Sequence, residues 1–138
     1  RMSAGTGVRH SEMNASDKEL VHFLQIWIVP EKNGIAPGYE QKRIEPEQRR
    51  GTLRLIASPN PTDGAVKIHQ DVSIYNALLD GHTVTHELPK NRYAWLHVAR
   101  GEVNVNGQQL KAGDGAAIAE EPTIAITGTG EVMLFDLN

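Results

Sequence analysis

Cysteine is absent from this chain. No disulfide framework and no thiol or thiolate chemistry is therefore open to it, and a reducing compartment fits that composition. A surplus of basic charge is also missing: 14 Lys and Arg face 17 Asp and Glu, a formal net charge of −3 with the 6 His neutral. Nucleic-acid binding needs clustered Lys and Arg, so no nucleic-acid partner is expected, and the pair Arg49-Arg50 reads as part of a solvated loop. No apolar run is long enough to span a bilayer, and the polar, Gly-rich first residues do not form a signal peptide. The expectation is a soluble cytoplasmic protein without a membrane partner. Amphipathic helices, internal repeats and low-complexity tracts are lacking as well.

The 138 residues suffice for one domain with a real core, or for one small domain plus a piece of another. The chain begins at Arg1, and Arg1-Met2-Ser3-Ala4-Gly5 reads like the middle of a domain, so a fragment is expected. Leu20 to Val29 is an almost unbroken apolar run, long enough and rich enough in Val, Ile and Phe for a strand buried on both faces. Pro30 ends it, because proline cannot donate to a ladder. Tyr39 to Gly51 is highly charged around Pro46 and reads as a connector holding at most a short helical turn.

Beyond the connector, strand and turn signals alternate. Thr52 to Ala57 is apolar, and Pro59 to Gly64 is a dense turn signal. Val66, Ile68, Val72 and Ile74 alternate with polar residues, the period of a half-buried strand, with Gln70 breaking the parity. Turns are expected at Asp80-Gly81, Arg100-Gly101 and Ala112 to Gly115. At Asn106-Gly107 a two-residue hairpin is expected, because both central residues of a type I′ turn need positive φ. Short, evenly spaced strands without helices indicate an all-β sandwich or barrel, and the turn-rich Gly101 to Asp114 stretch is typical of double-stranded β-helix domains.

The residues best suited to carry chemistry are His10-Ser11-Glu12. Residues i and i+2 of a strand share a face, so the His10 imidazole and the Glu12 carboxylate can converge on one metal ion. That donor pair suits non-haem iron, and also Zn, Mn, Ni or Cu, but an iron oxygenase needs three or four protein ligands. By itself such a spacing is a weak motif, more often two polar residues of a surface strand. His22 lies in the apolar run and reads as a core residue with a satisfied hydrogen bond, or as a support for the metal site. His82 and His86 would stand about 13 Å apart on a strand, too far to share an ion. His69 and His97 look solitary, and Trp27 and Trp95 read as packing residues. Gly5-Thr6-Gly7 precedes no helix and is not a phosphate loop. Asn14-Ala15-Ser16 matches the glycosylation sequon but is not expected to be used.

The stretch Ser3 to Glu12, the run Val21 to Ile28, Pro37, Tyr39-Glu40-Gln41, Lys67 to Asp71 and the closing Leu134-Phe135-Asp136-Leu137 resemble the pirin family, with its bacterial quercetinase-like branch nearest. The resemblance implies two facing cupin domains, the first holding Fe(II), or another divalent metal, through a His-x-His pair and the His and Glu of a His-Ser-Glu motif. Carried over, His10 and Glu12 are two of four ligands. No His-x-His occurs in this sequence. Residues 1–40 are then the remnant of an N-terminal cupin domain with a partial metal site, and residues 41–138 a C-terminal cupin domain. The resemblance implies a parent protein that opens the ring of a flavonol such as quercetin with O₂, with Glu12 as catalytic base, and an inactive chain here. The alternative is a metal-sensing or protein-binding regulatory pirin, and a homodimer through exposed strands is a specific form of it.

Overall fold

The structure, a computed structural model, describes all 138 residues. It is all-β apart from one 3-10 turn at Pro46–Arg49, the short helical turn expected in the charged connector. Nine strands follow in chain order: β1 (Met2–Ser3), β2 (Gly38–Tyr39), β3 (Arg54–Ser58), β4 (Val66–Lys67), β5 (Val72–Glu87), β6 (Tyr93–Val105), β7 (Gln108–Lys111), β8 (Gly115–Ile118) and β9 (Thr123–Leu137). β1 and β2 pair by themselves. The other seven form one sheet in the order β4-β3-β5-β9-β6-β7, with β8 on β6.

Three long strands build the barrel. β9 lies between β5 and β6 and pairs antiparallel with both along nearly its whole length. Tyr75, Ala77 and Leu79 of β5, Ala94, Leu96 and Val98 of β6, and Val132 and Leu134 of β9 turn inward, as period-two alternation requires. Thirteen buried apolar side chains form this core, and Leu96, Val98, Ile124, Ile126, Val132 and Leu134 are fully buried. A smaller apolar cluster of Ala57, Val72, Ile74 and Met133 covers the outer face of the same strands.

Asp80-Gly81 and Arg100-Gly101 do not reverse the chain, contrary to the sequence expectation. Both lie inside continuous strands, as bulges where the register skips between Asp80 and Thr83 and between Val98 and Arg100. A bulge bends a strand and shifts its side-chain parity, which is how one strand rounds a barrel corner. In β6 the inward residues change from even-numbered, ending at Val98, to odd-numbered, starting at Val103. The corner is tight: a methyl group on Gly101 would collide with the Thr129 carbonyl, and one on Gly130 with that of Arg100. Backbones approach this closely only where no Cβ intervenes. Thr123–Leu137 is likewise one continuous strand.

Other expectations hold. Val105 pairs with Gln108 across Asn106 (φ 47°) and Gly107 (φ 90°), the expected two-residue hairpin. Val66 to Ile74 is half-buried as expected, but it is interrupted at Ile68–Asp71.

Residues 20–29 overturn the buried-strand expectation. They join no ladder, and Leu20 (102%), Trp27 (87%) and Val29 (79%) are exposed. An apolar strand is buried on two faces only when neighbours cover both. Here the seven-stranded sheet is complete without this segment, which lies as an extended arm with Leu24 to Ile28 over the outer sheet face. Its anchors are few: the Gln70 side-chain amide donates to the Val29 carbonyl at 2.9 Å, and the Glu31 N–H to the His69 carbonyl at 2.7 Å.

Candidate functional site

His10 and Glu12 lie on an extended segment outside any strand, so the pleat does not align them as expected. They nevertheless converge: His10 Nε2 stands 3.7 Å from Glu12 Oε1, with both side chains about half exposed (44% and 51%). Donors bound to one ion at about 2.0–2.2 Å can be at most about 4.4 Å apart, so this bite suits a divalent transition metal. Imidazole and carboxylate also suit its chemistry. Nowhere does the chain gather three or more His, Asp or Glu around one point. The pair fits one edge of a coordination sphere, and no reaction step is derived through a metal in this chain.

The remaining histidines divide. His22 is exposed, not a core residue; its Nδ1 accepts a hydrogen bond from Arg100 Nε at 3.1 Å. His82 is exposed against Gly51. His86 points inward, where its Nε2 is 2.9 Å from Oδ2 of the buried Asp136. His82 and His86 share no partner, in keeping with their strand spacing. His97 is half-buried on the outer face beside Trp95, which packs over Gly115. Trp27 is not a packing residue here: its side of the arm faces solvent and it is 87% exposed.

His86 belongs to a polar network that sequence reading missed. Asp136 is held from the other side by Arg92, whose Nε donates to Oδ1 and whose Nη2 donates to the Asp136 carbonyl at 3.2 Å. Arg92 Nη1 reaches both oxygens of Asp71 at 3.1 and 3.2 Å. The Asp136 carboxylate holds the Arg92 guanidinium above its ordinary pKa. The Tyr75 ring lies 5.0 Å from that of His86. Burial, and then the Asp136 charge, raise the Tyr75 hydroxyl above its usual 10.0. The folded state therefore keeps the tyrosine proton more tightly than the unfolded chain does. This contribution is fully present below about pH 10 and is lost as pH rises through the folded value. Tyr75→Phe should flatten the alkaline limb of a stability–pH profile measured by urea melts; an unchanged limb would refute this.

Two cavities adjoin the arm. One, of about 450 Å³, is mainly apolar and runs between Leu24–Ile28 and the outer face at Trp95, Met133 and Phe135. The other, of about 440 Å³, is lined by Arg1, Lys42, Arg49 and Arg100 together with apolar side chains. No helix of the chain is long and apolar enough to cross a membrane.

The quercetinase C-terminal cupin domain family matches residues 55–137, and the pirin family matches residues 1–28. Quercetin 2,3-dioxygenase of Escherichia coli K12 is 45% identical over 139 aligned positions, covering 99% of this chain and 59% of that protein. A pirin-like protein of Caulobacter vibrioides is 40% identical, covering 98% of this chain and 60% of the relative. The chain thus spans about three-fifths of the length of these relatives. The crystal structure of YhhW from E. coli superposes with a TM-score of 0.75 at 40% identity, over 81% of this chain and 48% of YhhW. A second YhhW structure, in complex with nickel(II), gives 0.73 over 80% and 48%. A seven-stranded sheet folded over a main apolar core, the His-Ser-Glu segment ahead of it and these matches at both ends of the chain make it a member of the pirin family, with a quercetinase-type C-terminal cupin domain.

Proposed function

We propose that this chain is part of a metal-dependent quercetin 2,3-dioxygenase of the pirin type, and that His10 and Glu12 supply two ligands of its metal. The single observation that carries the reading is the 3.7 Å approach of His10 Nε2 to Glu12 Oε1, within a chain 45% identical to a protein of that activity. Residues 1–40 are assigned to a first cupin unit and residues 41–138 to a second. The remaining ligands come from outside this chain, the metal is Fe(II) or another divalent ion, and the substrates are a flavonol and O₂. When bound, such a metal supplies Lewis-acid stabilisation of a substrate oxyanion. Glu12 accepts the proton of the flavonol hydroxyl, for which a solvent-reachable carboxylate is a competent base. By itself the chain is inactive.

Metal retention tests the reading. After anaerobic loading with ferrous iron and desalting, elemental mass spectrometry of the full-length protein should find near one equivalent, and His10→Ala should lose most of it. Equal retention in that variant would remove His10 from the site. The 138-residue chain alone should retain essentially none.

The exposed arm favours a second reading, a binding or regulatory module. Leu20, Phe23, Trp27 and Val29 present apolar surface of the kind that marks interaction sites. A homodimer covering this arm should give twice the monomer mass by light scattering at high concentration. A monomer throughout that range would rule out the dimer.

A further inference from the structure

We propose that the cavity between the N-terminal arm and the outer sheet face binds a small organic carboxylate with an apolar body, at a site separate from the His10–Glu12 pair. Three observations converge on it. The cavity, about 440 Å³, has the size of a small-molecule pocket, and half of its sixteen lining residues are hydrophobic, among them Phe23, Leu24, Ile44 and Met133. Four cations line the same space: Arg1, Lys42, Arg49 and Arg100.

Their charge is only partly met. Glu40 faces Lys42 at 3.2 Å and Arg1 at 3.6 Å, and its carboxyl is held below the ordinary range, first by the Lys67 backbone N–H and then by Lys42. Glu131 accepts from Arg49 and is braced by Asn76 Nδ2 at 3.1 Å. Four positive charges thus meet two negative ones. Arg100 forms no ion pair; its only side-chain partner is the His22 imidazole.

The fold aims Arg100 into this space. The bulge at Ala99 turns both Ala99 and Arg100 to the outer face, and the register sets Arg100 opposite Glu131 on β9. Glu131, which also lines the cavity, is engaged by Arg49 and not by Arg100, so Arg100 keeps planar donors that match a carboxylate fork. The apolar lining selects a ligand whose carboxylate is carried on a hydrophobic or aromatic body, rather than inorganic anions.

Calorimetric titration of the intact chain with naphthoate, beside its methyl ester and inorganic phosphate, tests the assignment. Naphthoate should bind saturably and more weakly at high ionic strength. The ester, and separately Arg100→Gln and Lys42→Gln, should each lose about tenfold or more, the size expected for losing a charge-assisted contact. Thermal melts establish that the variants are folded; if either is not, the acid–ester comparison on the unaltered chain decides. Equal binding of acid and ester, equal binding of phosphate, or no saturation at millimolar naphthoate would each overturn the proposal.

Discussion

Glutamine in place of Glu12 should abolish flavonol turnover in the full-length protein while leaving its folding untouched. The carboxamide has the same shape, but it cannot take a proton or carry charge to a metal. Loss of a positioned general base alone costs about 10²- to 10⁴-fold, and loss of an anionic ligand adds to that. The structure separates these effects from stability. Glu12 is half exposed, its one recorded side-chain neighbour is the His10 imidazole at 3.7 Å, and it belongs to neither apolar cluster of the barrel. Surface substitutions of this kind stay within about 0.5 kcal/mol. Steady-state turnover together with urea melts makes the measurement. Wild-type turnover in Glu12→Gln would exclude the proposed role, whereas loss of both activity and stability would mean that Glu12 is structural.

The second large effect is expected at Asp136. Alanine there leaves the Arg92 guanidinium and the His86 ring facing an emptied acceptor position within the barrel wall. The three side chains are 9%, 22% and 12% exposed, so solvent cannot readily replace the lost carboxylate. Breaking a buried charged pair from one side costs about 3–5 kcal/mol. The lower end, about 3 kcal/mol, is expected because Asp71 still holds Arg92. Asp71→Asn is the contrast: its side chain is 57% exposed, and a surface pair is worth at most about 1 kcal/mol. Denaturation midpoints at neutral pH, at constant slope, measure both. An Asp136→Ala loss no larger than that of Asp71→Asn would show that the network does not clamp the barrel.

Features of the chain that depend on neighbours in sequence were legible before any coordinates. The Asn106-Gly107 hairpin is one, because positive φ at two adjacent residues is a local demand. The alternation of buried Val72 and Ile74 with Ser73 is another, because the pleat has period two. The convergence of His10 and Glu12 was also legible from their spacing, although an extended segment and not a strand brings it about.

What depends on distant partners was decided by the tertiary structure alone. Gly81 and Gly101 announce a break in backbone geometry, but only the ladder to β9 shows that the strands bend and continue instead of reversing. Apolar content in Leu20 to Val29 does not reveal which faces find cover; that follows from a sheet already complete without it. His86 gained its meaning from Asp136, 50 residues later, and Arg49 from Glu131, 82 residues later. The sequence by itself determined an all-β chain with a paired imidazole and carboxylate near its start. The pairing of β5 and β6 on β9 decided which polar residues meet, because antiparallel pairing aligns residues by register and not by their distance along the chain.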